Sequence, residues 1–573
     1  MSAAKRLATL GCVGLLATTS ACASAKSTGS VNGAPASTIK VGTVEAYSDL
    51  DPAGAYDYGS WLLFYNIYQG LMTYLPGATE PTPDAAKSCE FAPNSNDETY
   101  TCTLKPGLKF SNGDPLNAAA VAYSLNRVVK IGQEAAAFKP TKADPTPPDN
   151  GSDVSSLLAT MKTATATGDL TVTFQLNTPD VTFPDKLASG VGEIVDPAVY
   201  PADKLLSGTG VVGSGVYKLD SVKFGTGSSA SLPQSVQMSL NPNYQGAATS
   251  ASDPAQNSGM TLNYYYAANG KSAAQGVMDA LKDGSIDLNA NNDLPPTDES
   301  SLESTQQLGT GLQVDDGAGT QTRLIILNTK YGPFTDPYLR QAVARMINRE
   351  TIADDVYSRT VVPLYSLIPE GVGDATTPFK TVYPQNPEAG SSVKSWLQSV
   401  DKNLKFPIAF KYYYASNSVA GQAESQEIAK QLDAGGIFKV ELTPVASLGV
   451  LAPLWTAGKV PASVSGWSID YPDPDDLVAP FVNNPGQPGT FGNFYTNQGI
   501  IDSLLPETLK QADRSSPSTA NTFSTIQTDM AKDAAYVPLW QDKQYVVTQP
   551  DITGVPLTLD TAGIMRFWMV GKS

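Results

Sequence analysis

Strand-like and helix-like stretches alternate along this chain from one end to the other, which narrows its fold to an α/β architecture. "TIKVGTV" (38–44) reads as a strand. "SWLLFYNIYQGLM" (60–72) sets Trp61, Phe64, Tyr65, Tyr68 and Met72 at helical spacing, which is the pattern of core packing rather than of a ligand site. "NAAAVAYSLNRVV" (117–129) is a helix capped by Asn117. "TDPYLRQAVARMI" (335–347) is another, with Asp336 as its cap and Pro337 in the first turn, where proline is tolerated. "SAAQGVMDALKDGSIDLNA" (272–290) is a helix stopped at Gly284 and followed by a strand. "SQEIAKQLDAGGIFKVELTPV" (425–445) reads as helix, glycine break, strand, and "ANTFSTIQTDMAKDAAYVPLW" (520–540) as a helix running into an apolar strand. A Pro/Asp/Gly stretch near 141–155 interrupts regular structure. Alternation of this kind predicts lobes with largely parallel sheets, with ligand bound at the carboxyl ends of strands. A length of 573 residues predicts two or three such lobes.

Composition then removes whole classes of function. The net charge is −17 and no basic run occurs, which argues against nucleic acid or anionic membrane surfaces as partners. Histidine is absent, so histidine-based triads, Cys–His pairs and HExxH zinc sites are excluded together. Ser-x-x-Lys occurs at Ser2–Lys5, Ser37–Lys40 and Ser399–Lys402, without the partner motifs that would make a nucleophile of the serine. There is no GxSxG, no phosphate loop and no GxGxxG following a strand. No catalytic motif, metal ligand set or cofactor motif stands out, so a non-enzymatic role is expected, with paired carboxylates as the open catalytic alternative.

The first residues form a targeting segment. Lys5 and Arg6 precede a short apolar run that ends in "TTSAC" (18–22), which resembles a bacterial lipobox with Thr19 in place of the usual leucine. This predicts a signal peptide over 1–21, lipid attachment at Cys22 and a flexible tether over 22–38. Ordinary cleavage after "TSA" or "ACASA" is the alternative. Two cysteines then remain in the body of the chain. A two-residue turn at Ser95–Asn96 would set Cys89 opposite Cys102 in a non-hydrogen-bonded pair, with Phe91 facing Tyr100 on the same side. A disulfide suits an oxidising compartment.

The stretch "GWSIDYPDPDD" (466–476) has two readings on its residues alone. It is a strand ending in a proline-rich turn, or a carboxylate held at a strand end between aromatic walls.

Taken in order, several segments resemble the family 5 extracellular solute-binding proteins, the oligopeptide, dipeptide and nickel binders of ABC importers. They are "SDLDPAGAYDY", "YQGLMTY", "YTCTLKPGLKFSNGDPLNAAAVAYSLNR", "VVGSGVYKL", "LNPNYQGA", "LKDGSIDL", "ILNTKYGPFTDPYLRQAVARMINRETI", "LIPEGV", "GWSIDYPDPDD" and "DMAKDAAYVPLW". Ala119 and Ala120 stand where the family often has an acid, and Val216 where proline is common. The resemblance implies an α/β fold of the type II periplasmic-binding-protein kind, with two hinged lobes and an inserted subdomain. Lobe I would comprise 39–71, 196–318 and 538–573. The subdomain with the cysteine hairpin would span 72–195, and lobe II 319–537. By the same resemblance, Asp470 holds a ligand α-amino group, Trp467 forms an apolar wall, and Tyr56 and Tyr58 border the ligand. Arg323 would receive a ligand carboxylate or form an ion pair, and Trp540 would face the cleft. Asp473, Asp475 and Asp476 would shape the turn. Lys459 is the one basic residue in the segment leading to "GWSIDY", so no clamp for a peptide C-terminus stands out and ligand length stays open. The implied partners are a peptide or peptide-like ligand and ABC permease subunits with their ATPases. The protein is expected as a lipid-anchored monomer outside the cell membrane, with a non-peptide solute or a signalling peptide as alternative ligands. Metabolic labelling with a palmitate analogue is expected to mark the wild-type protein and not Cys22→Ala; label retained on the variant would remove Cys22 as the attachment point.

Overall fold

A computed structural model describes residues 37–137, 151–249, 254–290, 292–305 and 311–573. The leader and Cys22 lie outside the described residues, as does most of the stretch near 141–155.

The first half of the chain opens with β1 (Thr38–Thr43), whose Ile39 and Val41 are fully buried. Helix α1 (Tyr58–Ile67) follows, started by Asp57, whose Oδ1 accepts the Ser60 N–H at 2.9 Å. It is shorter than the apolar period suggests, and Met72 belongs to a short strand beyond it. The reason is a close crossing: Gly215 N–H bonds the Ile67 carbonyl at 2.8 Å, and side chains at Gly213 or Gly215 would collide with the helix end.

The inserted subdomain is a four-stranded antiparallel sheet covered by one helix. Its elements are β2 (Ala86–Phe91), β3 (Thr99–Leu104), α2 (Ala118–Ala137), β4 (Met161–Ala166) and β5 (Thr171–Leu176), in the spatial order β2-β3-β5-β4. Asn117 caps α2 as its sequence predicts, accepting from Ala120 N–H at 3.1 Å. Tyr100, Phe174 and Phe183 meet edge to face in its core, with ring centroids 5.9 and 5.3 Å apart.

The main sheet continues with β6 (Tyr217–Phe224), β7 (Pro233–Leu240), β8 (Gly259–Tyr264), α3 (Ala273–Lys282) and β9 (Leu288–Asn289). Gly284, at φ +75°, ends α3 as expected. The long strand β10 (Gln313–Leu327) then crosses into the second half. There lie α4 (Pro337–Met346), β11 (Val361–Pro363), β12 (Ile408–Ala415), α5 (Val419–Asp433), β13 (Phe438–Val445) and β14 (Ala462–Trp467). Helix α6 (Pro517–Asp533) leads into the second long strand, β15 (Tyr536–Thr548). The spatial order is β13-β12-β14-β10-β15-β9-β1-β8-β7-β6, with β11 added on β15.

One expectation needs correction. The sheet is mixed rather than largely parallel. Parallel pairing is confined to β9-β1-β8 and β13-β12-β14. β6 and β7 are joined by a short connection and must run antiparallel, and so do the two long strands that pass between the halves.

Cys89 pairs with Cys102 as a disulfide, in register with Phe91 opposite Tyr100. The Cα atoms are 4.1 Å apart, the close spacing of a non-hydrogen-bonded pair. The turn differs from the one expected. Two successive turns, Ser95 N–H to Ala92 O and Glu98 N–H to Ser95 O, replace the two-residue turn, and Asn94, Asn96 and Asp97 take up positive φ. The register survives because the wider loop stays centred on the same bond, closed by Ala92 N–H to Thr99 O at 2.8 Å. Replacing both cysteines by serine is expected to lower the unfolding free energy by about 3 kcal/mol, measured by urea titration of the exported protein. An unchanged midpoint would show that the hairpin holds its register without the bond.

Candidate functional site

Between the two halves lies a cavity of about 410 Å³. Tyr56, Tyr58, Trp61 and Tyr65 come to it from the first half, and Gly466–Asp470 from the end of β14. Thr320, Gln321, Asp542 and Gln544 form its floor, where β10 and β15 pass between the halves.

Local chemistry explains why β14 ends as it does. Asp476 Oδ2 accepts the Asp470 backbone N–H at 2.8 Å and folds the proline-rich segment back onto the strand end. Asp473 caps the following turn, accepting Asp475 N–H at 2.8 Å, and its carboxylate is gripped by the Arg514 guanidinium, with Nε at 2.7 Å. Tyr471, beside Asp470, points away into the subdomain core. Of the four acids, Asp470 is the one left facing the cavity.

Asp470 is 8% exposed, and its Oδ2 accepts the Tyr56 hydroxyl at 2.5 Å, a bond that spans the two halves. Burial raises its carboxyl above the ordinary aspartate range, against the hydrogen bonds from Tyr56 and Asp476. Asp476 is raised by burial first and by the charge of Asp470 second. Asp542 is pushed up to about 7 by burial, although it accepts Gln321 N–H at 2.9 Å and Asn292 Nδ2–H at 2.7 Å. Among the described residues, no lysine or arginine lines this acidic site.

The walls are aromatic. Trp61 meets Tyr56 edge-on at 5.6 Å and Tyr65 at 6.2 Å, while Trp467 leans on Phe481 at 5.4 Å. Trp61 and Tyr65, read from their period as core, line the cavity. Their periodicity is the same for a buried helix face and for a cavity wall, so the spacing held no signal to separate the two. Asp542 and Gln321 were missed because neither sits in a local motif.

Arg323 and Trp540 have another place. They are register partners on β10 and β15, on the sheet face covered by α5. Arg323 Nε bonds Glu424 Oε1 at 3.0 Å, Trp540 Nε1 bonds Oε2 at 3.3 Å, and Tyr357 donates to the same carboxylate. Glu424 is fully buried, so Arg323 is committed to balancing it, and neither Arg323 nor Trp540 lines the cavity.

The family model described as bacterial extracellular solute-binding proteins, family 5 Middle, matches residues 80–489. The chain belongs to that family. Among its relatives, the probable D,D-dipeptide-binding periplasmic protein DdpA of Escherichia coli K12 is 24% identical over 531 residues, 91% of each chain. The fold is shared with the Helicobacter pylori periplasmic binding protein DppA in complex with the peptide STSA, at a TM-score of 0.74 and 19% identity, covering 94% of this chain and 98% of that one. It is shared equally with AgaA of A. tumefaciens R10 in complex with agropinic acid, at 0.73 and 19%, covering 94% and 99%. This solute-binding protein therefore has the mixed α/β type II periplasmic-binding-protein fold, with the cavity between its two halves. Among the described residues no helix is long and apolar enough to cross a membrane.

The raised Asp470 carboxyl has a consequence for stability. The folded chain binds its proton more tightly than the unfolded chain, so stability is lost as pH rises from the ordinary aspartate range through the raised one. Asp470→Asn removes that loss. Without ligand, the variant is expected to melt above wild type near neutral pH, with a difference that shrinks toward pH of about 4, followed by calorimetric Tm. A difference that is constant or grows on acidification would contradict it.

Proposed function

We propose that the protein is the extracytoplasmic substrate-binding lipoprotein of an ABC importer, capturing peptides or peptide-like solutes between its lobes and delivering them to a membrane permease. The observation that carries this reading is Asp470, a buried carboxylate at a strand end inside an aromatic cavity, facing Tyr56 across the lobes. Relatives named for dipeptide and glutathione binding support the ligand class. Attachment through Cys22 and a monomeric working form belong to the same proposal, as do the lobe limits of 39–71, 196–318 and 538–573 for lobe I, 72–195 for the subdomain and 319–537 for lobe II.

A ligand ammonium carries three donors and no acceptor, which suits a carboxylate with one oxygen already bonded to Tyr56. The charge-assisted bond contributes about 1.5–3 kcal/mol net. Trp467, Tyr58 and Trp61 supply apolar walls to whatever follows the ammonium. Closure would bend the two long strands where their register shifts, between Ala318 and Thr322. Catalysis is not part of this reading: binding and release are enough for transport. A second reading, a non-peptide cationic solute, is favoured by one observation. No lysine or arginine lines the cavity among the described residues, so nothing there is built to hold a peptide carboxylate.

Asp470→Asn keeps the shape of the site and removes its charge. Losing one partner of a desolvated pair costs about 2–5 kcal/mol, and the lower half of that range is expected because asparagine still offers an oxygen. Affinities of wild type and variant for a peptide shown to bind and for its N-acetylated form make a double-mutant cycle, read by calorimetry. The variant is expected to lose much less on acetylation than wild type does. A coupling energy near zero would remove Asp470 from the site.

A further inference from the structure

The charged groups around the cavity are unequally provided for. Its described lining has four carboxyl groups, Glu45, Asp57, Asp470 and Asp542, and no lysine or arginine. Two of the four are consumed by the fold. Asp57 caps α1 through Ser60 and also accepts the Ser48 hydroxyl, and Asp542 is bonded to Gln321 and Asn292. Asp470 has Tyr56 on one oxygen. Glu45 has nothing.

Glu45 lies two residues past the carboxyl end of β1, the strand that runs parallel with both of its neighbours, where ligands sit in open α/β sheets. Its side chain is exposed, opens on the cavity, and makes no hydrogen bond or ion pair among the described residues. Two further polar groups beside it are equally without partners. Asp293 is 1% exposed; its Oδ1 accepts Val44 N–H at 3.1 Å, next to Glu45, while its Oδ2 has no partner. Tyr58, which lines the cavity, has a buried hydroxyl with no partner. The electrostatics tie the three together: Glu45 acts on Asp293, and both act on Tyr58, each group already displaced by burial. The cluster is rich in acceptors and has no cation. A group with several N–H donors and a positive charge completes it, an ammonium or a guanidinium.

We infer that the cavity selects solutes with two cationic centres and no free carboxylate, one cation on Asp470 and the second on Glu45 beside Tyr58 and Asp293. The first half of this statement rests on the ammonium-binding reading of Asp470; the Glu45 subsite stands on its own residues. A ligand carboxylate would meet four carboxyl groups and no lysine or arginine in the described lining. The two carboxylates belong to different lobes, so a dication would hold the closed form from both sides.

The test is calorimetric titration of the mature protein with lysyl-alanine amide, alanyl-alanine amide, lysyl-alanine as the free acid, and spermidine. Wild type is expected to bind lysyl-alanine amide at least about tenfold more tightly than the free acid. Glu45→Gln is expected to weaken lysyl-alanine amide by about tenfold or more and to change alanyl-alanine amide by less than about twofold. The amide-against-acid comparison needs no variant, so it stands even where Glu45→Gln folds poorly. Free acid bound as tightly as the amide, an equal or absent effect of Glu45→Gln on both amides, or no binding of any probe would overturn the inference. Peptide amides that bind regardless of Glu45 would remove the second subsite and leave the peptide reading intact. Spermidine bound alone, and lost in Glu45→Gln, would do the reverse.

Discussion

The antiparallel pairing of β10 with β15 is the interaction on which the rest of the molecule depends. These strands, 15 and 13 residues long, far exceed the typical strand of about 5–6 residues, because each serves both lobes. β14, β12 and β13 build outward from the upper part of the pair, and β9, β1 and β8 from the lower. Where the pair leaves one lobe for the other its register slips, between Ala318 and Thr322. The slip is held by Asp542, which accepts the Gln321 N–H, and by Gly319, where any Cβ would strike the Asp542 carboxylate. The irregularity that lets the sheet change direction therefore also turns Thr320, Gln321 and Asp542 toward the ligand space. The register slip and the cavity floor are one feature.

Two buried charge clusters flank this ribbon, and they differ in kind. Around Glu424, the Arg323 guanidinium, the Tyr357 hydroxyl and the Trp540 indole supply donors from three directions. That cluster is complete, and removing one member would strand a charge in the core of lobe II. Around Asp470 and Asp476 no lysine or arginine among the described residues lines the cavity; burial raises both carboxyls, and the charge of Asp470 raises Asp476 further. A fold that completes one buried charge and leaves another uncompensated a few residues along the same sheet separates structure from binding. The incomplete cluster opens on the cavity.

The sequence made the local features legible and left the long-range ones hidden. Caps at Asn117 and Asp336, the stop at Gly284 and the cysteine register all follow from rules that act over a few residues, and each is found in the structure. Asp470 and Trp467 could be singled out because a resemblance marked their positions. Arg323 could not be placed correctly, since its partner Glu424 lies 101 residues away on a helix whose packing no local pattern predicts. Trp61 and Tyr65 share one helical period with true core residues, and only the position of β14 decides which ring faces a void. Glu45, Asp293 and Asp542 are ordinary acids in sequence; only the fold decides which donors each of them meets. Strand direction was misjudged for a similar reason, because alternation of helix and strand predicts crossovers and says nothing of strands shared between lobes.

The inserted subdomain takes part in this balance. Val181 N–H reaches the Leu509 carbonyl at 3.1 Å, and Tyr471 of the second lobe is packed into the subdomain core. Nearby, Asp185 is pushed up to about 8 by burial and by the charge of Asp473, with Arg514 as the compensating cation. The contact between the subdomain and the second half thus sets like charge together, Asp185 against Asp473, while Asp470 and Asp476 crowd each other within one segment. A ligand shifts an opening and closing equilibrium only by the difference between its interactions with the closed and open forms. On the proposed reading a cation at Asp470 would offer such a difference wherever opening hydrates the carboxylate and closing buries it. Tyr471 follows Asp470 directly in the chain, so the position of the charged site and the docking of the subdomain are fixed by the same two residues.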